Sequence, residues 1–215
     1  MPRTPPPADL AGFPSRRNTP SVRTLYRIFW NRDQVTGAQN SPWRFSTMTS
    51  GSTGRNRFDV PEPNGTCYWS SRRYGAWVET FQGCTRVDLS DARHRRIWTG
   101  HAPVLRLANL LAPKAYPFGI TAAISTQPEY ALPQQWAEAL RRHGFDGLVG
   151  SCSHDPSSDA LNVAVFGKAG TPRSQPGWTT TSNRLEEDMT LLTELAKLGV
   201  HLARVPYDVQ TTTPP

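Results

Sequence analysis

The sequence predicts a single α+β domain, and two observations lead to this fold class. Short runs with the apolar or alternating pattern of β-strands are mixed with stretches whose apolar residues recur at helical spacing. The strands and helices do not alternate regularly, as they would in a doubly wound parallel sheet. The chain has 215 residues, 37% of them hydrophobic, which is enough to bury one core. We therefore expect a mixed β core with helices around it.

Five segments carry a strand pattern, one of which opens the run DGLVGSCSHD and leads into a loop. The first is the largely apolar run over residues 22–30, and the second is a short run over residues 66–69. The stretch between them is long and irregular, which inside a compact domain is typical of functional segments. Residues 85–90 alternate as a strand does. The near-continuous apolar run LNVAVF, residues 161–166, indicates a strand in the interior of the sheet.

A helix that bears on function is predicted directly after the second strand, in SRRYGAWVETF. Ser70 or Ser71 is expected to cap it. One apolar face is formed by residues at i, i+3, i+4 and i+7, which are Tyr74, Trp77, Val78 and Phe81. Glu79 lies off this face.

Three further helices are predicted, over residues 103–111, 134–144 and 183–199. In the second of them Trp136 and Leu140 are expected to face the core. The last helix is the most regular and is expected to be capped by Asn183. Its apolar stripe consists of Leu185, Met189, Leu192, Leu195 and Ala196.

The chain is expected to divide into four segments. Residues 1–20 are Pro-rich and are predicted to form a flexible arm. Residues 21–170 form the folded domain, and residues 171–206 form a linker and a helix packed on it. Residues 207–215 are predicted to be a tail.

The composition favours a basic protein of a reducing compartment. Lys and Arg number 24 against 17 Asp and Glu, which gives a net charge of +7 and favours anionic partners such as nucleotides, phosphate, nucleic acid or an acidic protein. The chain has three cysteines, Cys67, Cys84 and Cys152, which is an odd number at wide spacing. A disulfide framework or a zinc site would show a different pattern. No apolar run has the length of a membrane span. We therefore expect a cytoplasmic protein.

Several common enzyme motifs are absent from the sequence. It contains no GxGxxG, GxxxxGK[ST], HExxH or GxSxG, and its five His do not have the spacing of metal ligands. This disfavours a Rossmann dehydrogenase, a P-loop NTPase, a zinc hydrolase and an α/β-hydrolase. We expect no bound metal.

Three stretches resemble the RES family, which is named for its Arg, Glu and Ser. The first is LYRIF, with Arg27. The second runs from PWRFSTM to WVETF, where an R-F pair, a tyrosine-bearing strand and a helix with A-x-x-E correspond to Arg57, Tyr68 and Glu79. The third is FDGLVGSCSHDPSSDALNVAVF. Together they cover roughly residues 22–170, in the order and spacing of the family.

The resemblance implies a fold and a class of activity. RES proteins are expected to fold like ADP-ribosyltransferase toxins, with a mixed β core in one domain, and to consume NAD. Some do so by phosphorolysis and others transfer ADP-ribose to a protein. Many are toxins held inactive by an antitoxin. For this chain we expect NAD as substrate, inorganic phosphate as a candidate co-substrate, and an Xre-type antitoxin as partner, with nucleic acid contacted only through that antitoxin.

The resemblance also implies roles for four residues. Cleavage of the nicotinamide–ribose bond develops positive charge on the ribose, as glycoside hydrolysis does. A carboxylate near that carbon, or bonded to the 2′-hydroxyl, stabilises the charge, and Glu79 is implied for this role. Arg27 and Arg57 are expected to bind the pyrophosphate or an incoming phosphate. Tyr68 is expected to pack against the nicotinamide or its ribose.

The position of the family's serine is ambiguous. Counting from Asp146, it falls on Cys152, between Ser151 and Ser153. Either a neighbouring serine takes the role, or a thiol, which is a weaker donor, replaces the hydroxyl. We assign Ser151 to the catalytic group with Glu79, Arg27 and Tyr68. Cys152 and Ser153 are assigned, with Arg57, to substrate binding.

Other interpretations stay open at this point. Arg27 could pair with a buried carboxylate, Tyr68 could be a core residue and Glu79 a solvated helix residue. The whole chain could be a protein ADP-ribosyltransferase or a RES domain kept as a scaffold. It could also be a non-enzymatic nucleic-acid binder, although its short basic clusters, residues 71–73 and 92–96, accompany no known binding motif.

Overall fold

One eight-stranded mixed sheet organises the fold. A computed structural model describes residues 4–17, 23–32, 37–49, 56–157 and 159–203, so the predicted tail lies outside the described residues. The sheet has the strand order β1-β6-β7-β8-β3-β2-β5-β9. Its strands are β1 Ser15–Arg17, β2 Thr24–Trp30, β3 Asn64–Ser70, β5 Arg95–His101, β6 Arg106–Asn109, β7 Gly147–Ser151, β8 Leu161–Lys168 and β9 Thr179–Arg184. Strands β4 Arg86–Asp88 and β10 His201–Ala203 form a separate parallel pair.

The helices cover the sheet in two groups. They are α1 Arg73–Phe81, α2 Leu89–Arg93, α3 Ala123–Thr126, α4 Ala131–Arg142 and α5 Met189–Lys197. Trp136 and Leu140 of α4 are buried in one core cluster with Leu148 of β7. Trp77 of α1 is buried in another cluster with Leu195 of α5. The burial of Trp77, Trp136 and Leu140 confirms their prediction as core residues, and the mixed sheet with helices confirms the α+β fold class.

The sheet is split between β2 and β3. Strand β3 pairs with β8 over seven residues, and β2 pairs with β5 over seven residues. By contrast, β2 and β3 meet only at Tyr26 and Ser70 in the described part of the chain. Beyond this pair the two strands diverge, and a cleft opens between the two halves of the sheet.

Helix α1 approaches the split closely because of a glycine. A Cβ atom on Gly75 would lie 2.3 Å from Ser70 Oγ and 2.6 Å from Ala160 Cβ, both far below normal contact distance. Glycine therefore lets α1 lie directly against the end of β3. The predicted serine cap is wrong: Arg72 occupies the N-cap position and makes no side-chain capping bond. The Ser70 hydroxyl instead accepts a hydrogen bond from the Arg72 backbone at 3.3 Å.

The helix predicted over residues 103–111 is wrong. Residues Arg106–Asn109 form strand β6, which pairs with β1 on one side and with β7 on the other. Leu105 and Leu107 are both buried, as alternation along a strand requires. Pairing between distant segments overrides the local helical spacing of the leucines.

The helix predicted over residues 183–199 is shorter than expected. Asn183 belongs to β9, opposite Ile97, and α5 begins at Met189 after a 3₁₀ turn. The cap is Asp188, whose side chain accepts a hydrogen bond from the Leu191 backbone at 2.9 Å. Leu185 and Leu195 of the predicted stripe are buried, whereas Met189 is 69% exposed and the fully buried Leu191 was not part of the prediction.

The N-terminal arm packs on the domain within residues 4–17. Leu10 and Phe13 are buried in the core cluster that contains Trp136, and Ser15–Arg17 extends the sheet as its edge strand β1. The Pro-rich composition suggested a flexible arm, but its two large apolar side chains secure it to the core. The boundaries predicted between the later segments stay predictions.

Candidate active site

A cleft of about 370 Å³ lies at the split between β2 and β3. Six of the seven predicted site residues line it, although they come from segments that are far apart in the chain. These six are Arg27, Arg57, Tyr68, Glu79, Ser151 and Ser153. The seventh, Cys152, lies behind the wall of the cleft.

Glu79 projects from α1 and is held by the segment that follows β7. Its Oε1 accepts hydrogen bonds from the Ser153 backbone N–H at 2.6 Å and from the Cys152 thiol at 2.9 Å. Burial raises the pKa of Cys152, and the neighbouring Glu79 charge raises it further, so the thiol stays protonated and acts as a donor. The carboxylate therefore has a fixed orientation before any ligand binds.

The three residues 151–153 have different surroundings. Cys152 is 3% exposed and contacts Glu79. The Ser153 hydroxyl donates to the Ser125 carbonyl at 2.7 Å. Ser151 lines the cleft, and its side chain makes no hydrogen bond to the residues described.

Arg57 lies across the cleft from this carboxylate. Its guanidinium donates to the Gln127 carbonyl and lies 4.9 Å from the ring centroid of Tyr130. Burial lowers the pKa of Arg57, while Tyr130 and the Glu79 charge act in the opposite direction. An arginine stays protonated in a protein, so Arg57 supplies a partly desolvated cation beside Glu79.

Arg27 is held without a carboxylate. Its guanidinium donates to the Cys67 sulfur and lies 4.8 Å from the Phe29 ring centroid. Burial raises the pKa of Cys67, so this thiol is neutral and leaves the charge of Arg27 uncompensated. Within the described ranges Arg27 makes no ion pair, unlike an arginine kept for a structural salt bridge.

Tyr68 presents its ring rather than its hydroxyl. The phenol donates to Asp59 Oδ1 at 2.9 Å and accepts from the Phe58 backbone N–H at 3.0 Å. Burial raises the pKa of Tyr68 well above its ordinary value, and the adjacent Asp59 adds to this effect. These bonds tie the segment that carries Arg57 to strand β3.

Sequence reasoning missed other residues that line the cleft, among them Arg44, Tyr130, His154 and Asn162. Asn162 left a signal, because it is the one polar residue of LNVAVF, and a polar side chain in an apolar strand needs an explanation. No pattern in the sequence predicts Tyr130, because its contact with Arg57 joins segments 73 residues apart. The cleft contains more cationic than anionic side chains, so it is suited to an anionic ligand.

The described part of the chain shows neither a metal-binding cluster nor a membrane-spanning helix. No three His, Cys, Asp or Glu side chains there are grouped in a way that could hold a metal ion. No helix there has the length and apolarity needed to cross a membrane.

The chain is similar to a known protein family and to a solved structure. Residues 24–181 match the family model described as the RES domain. The structure is similar to a chain in the M. tuberculosis MbcT-MbcA toxin-antitoxin complex, with a TM-score of 0.53 and 17% sequence identity. The similarity covers 81% of this chain and 89% of that chain, and shows a shared fold. No curated protein matches the chain.

Proposed function

From the premise that this chain belongs to the RES domain family, we propose that it is an enzyme that cleaves the nicotinamide–ribose bond of NAD. The observation that carries the proposal is the convergence of Glu79, Arg27 and Arg57 on one cleft. Two guanidinium groups suit a pyrophosphate, and one oriented carboxylate suits a sugar carbon that becomes positively charged.

In the proposed reaction Glu79 acts on the nicotinamide ribose. Its Oε1 is occupied by the Ser153 N–H and the Cys152 thiol, which fixes the carboxylate and leaves Oε2 for the ribose. As the bond to nicotinamide breaks, positive charge develops on the ribose and the carboxylate stabilises it. Nicotinamide leaves as a neutral molecule.

The arginines are proposed to bind the anionic part of the substrate. Arg27 has no competing carboxylate within the described residues, so its guanidinium can form bidentate contacts to a phosphate. Arg57 lies on the other side of the cleft, fixed by the Gln127 carbonyl and the Tyr130 ring. If inorganic phosphate is the acceptor, the same positive charge favours its binding.

We propose that an antitoxin is the partner of this chain. A solved structure that the fold resembles is a toxin-antitoxin complex. The excess of cationic side chains in the cleft predicts an acidic partner surface that covers the opening. Expression of the chain alone and together with its genomic neighbour tests this proposal. We expect the neighbouring protein to co-purify with the chain. We also expect the complex to weaken at high salt, because salt screens the charges that hold it together.

The decisive experiment incubates pure protein with NAD, with and without inorganic phosphate, and identifies the products by mass. Loss of NAD with release of nicotinamide is expected. The mass of the ADP-ribose product separates phosphate from water as acceptor, and label from NAD recovered in protein would indicate a protein ADP-ribosyltransferase.

The matched variants are Glu79→Gln and Glu187→Gln. Glu79→Gln removes the charge that stabilises the transition state and is expected to lower NAD consumption by about 10²–10³-fold. Glu187 lies on the exposed surface and pairs with Arg184, so its variant is expected to keep the wild-type rate. NAD consumption that survives in Glu79→Gln would show that the proposed site is wrong.

A further inference from the structure

Asn162 has an unused hydrogen-bonding group at the floor of the cleft. It lies in β8, opposite Ser70 of β3 and Gly150 of β7, and it lines the cleft. Its Oδ1 is buried and has no hydrogen-bond partner among the described residues. A buried amide oxygen without a partner is unfavourable for folding and is rare in folded proteins. Its presence in a cleft wall therefore points to a ligand.

The other polar groups on this face of the sheet already have partners. The Tyr68 hydroxyl is bonded to Asp59, and the Ser70 hydroxyl accepts from the Arg72 backbone. The neighbours of Asn162 on the two adjacent strands, Ser70 and Gly150, are small residues. A half turn about its terminal torsion exchanges oxygen and nitrogen, so the side chain can offer either an acceptor or a donor.

Tyr68 lies next to Asn162 on the same face. In the pairing of β3 with β8, Tyr68 is opposite Ala164, two residues from Asn162. Such diagonal neighbours lie about 7–8 Å apart. An aromatic ring packed against Tyr68 can therefore direct a polar substituent at the amide of Asn162.

We propose that Asn162 binds the carboxamide of the nicotinamide ring and makes the site selective for NAD over its nicotinic acid analogue. This inference rests on the proposed function of the cleft. A primary amide has one acceptor and two donor hydrogens, and so does the side chain of Asn162, so the two groups form a pair of hydrogen bonds. The carboxylate of the acid analogue has no donor hydrogen, so it can form only one of the two hydrogen bonds with the side chain of Asn162.

The test compares Asn162→Leu with the wild-type protein on NAD and on nicotinic acid adenine dinucleotide. Leucine has the same number of side-chain heavy atoms as asparagine and forms no hydrogen bonds. We expect kcat/KM for NAD to fall about 10–100-fold, and the preference for NAD over the acid analogue to fall with it. Thermal unfolding should occur at the same or a higher temperature, because the variant removes an unpaired buried amide.

Two variants serve as controls. Asn162→Asp keeps the shape and one acceptor, and is expected to retain more NAD turnover than Asn162→Leu while still disfavouring the acid analogue. Asn64→Leu makes the same change at the far end of β3, away from the cleft, and should alter neither the rate nor the preference.

A second measurement separates this inference from the proposed function. Binding of free nicotinamide and of nicotinic acid is measured by calorimetry for the wild-type protein and for Asn162→Leu, and only nicotinamide binding should weaken. Wild-type protein that consumes no NAD overturns the proposed function. Equal losses for amide and acid, or a loss of activity that follows a lower unfolding temperature, overturn the role of Asn162.

Discussion

At the scale of single residues, Cys152 shows how a substitution can be accommodated next to a functional carboxylate. The resemblance placed the family's serine at this position, and the structure places the thiol against Glu79, outside the cleft. The side chain therefore orients the carboxylate, while Ser151 and Ser153 on either side of it line the cleft.

The Cys152–Glu79 contact leads to a prediction about two variants. Cys152→Ser keeps a donor and is expected to retain NAD consumption within about threefold of wild type. Cys152→Ala removes one of two hydrogen bonds to Oε1 and is expected to lower kcat about tenfold, in keeping with the loss of one bond to a charged group. Single-turnover kinetics measure both. An alanine variant with the wild-type rate would exclude the orienting role.

Asp59 gives a pH dependence of stability whose sign follows from its burial. Desolvation raises the pKa of Asp59, against hydrogen bonds from Asn56, Ser46 and Tyr68 that lower it. A carboxyl whose folded pKa is raised binds its proton more tightly in the folded protein. It contributes stability below its unfolded pKa, and this contribution is lost as pH rises through the folded value.

We therefore predict that the free energy of unfolding of the wild type, relative to Asp59→Asn, decreases as pH rises from about 4 to 6. Urea titrations of both proteins across this range measure the difference. A difference that grows with pH would mean that the hydrogen bonds outweigh desolvation and that the folded pKa is lowered.

Four of the site residues could be predicted because their neighbours in the chain carry a recognisable pattern. Arg27, Arg57, Tyr68 and Glu79 were assigned from local motifs, and all four line one cleft. Local motifs do not record contacts across the sheet. The role of Cys152 behind Glu79 could not be predicted, because it depends on how α1 lies against the segment after β7.

At the scale of elements, the position of α1 depends on Gly75. Alanine normally favours a helix over glycine by about 1 kcal/mol. Here its methyl group would overlap Ser70 and Ala160. Gly75→Ala is therefore expected to lower the free energy of unfolding by about 1–3 kcal/mol and to lower NAD consumption, because the helix that carries Glu79 must shift.

Chemical denaturation and NAD assays of Gly75→Ala test this expectation. Gln135→Ala, at an exposed position of α4, is the control for a simple gain of helix propensity. A Gly75→Ala protein that is more stable than wild type would show that helix propensity outweighs the close contact.

Elements defined by their own pattern were predicted better than elements defined by their partners. Strands β2 and β8 and helices α1 and α4 have clear apolar runs or faces. Strand β6 was taken for a helix, because VLRLANLL satisfies helical spacing and its pairing with β1 and β7 is not visible in the sequence. Strand β5 was not predicted, since RRIWTGH contains two arginines and a histidine.

At the scale of the whole molecule, the N-terminal segment is part of the core. Phe13 packs against Phe118 and Phe145, with ring centroids 5.1 Å and 6.1 Å apart. Phe13→Ala is expected to lower the free energy of unfolding by about 3–5 kcal/mol, as the loss of a buried aromatic ring does. Leu111→Ala, at a residue 43% exposed, is expected to change it by less than about 1 kcal/mol. Equal effects of the two variants in urea titrations would show that the arm is not secured to the domain.

The split in the sheet has a consequence for fragments of this protein. The chain crosses from one side of the split to the other repeatedly: β2 is on one side, β3 on the other, β5 back on the first, and β6 to β8 again on the second. The wall that contains β3 is therefore complete only when β8 is present, and β9 then completes the other wall beside β5. A fragment that stops before Asn162 contains Arg27, Arg57 and Glu79. It lacks β8, which is the strand that pairs with β3. NAD consumption is therefore expected only from chains that extend beyond β8, and fragments that end before Asn162 are expected to be inactive.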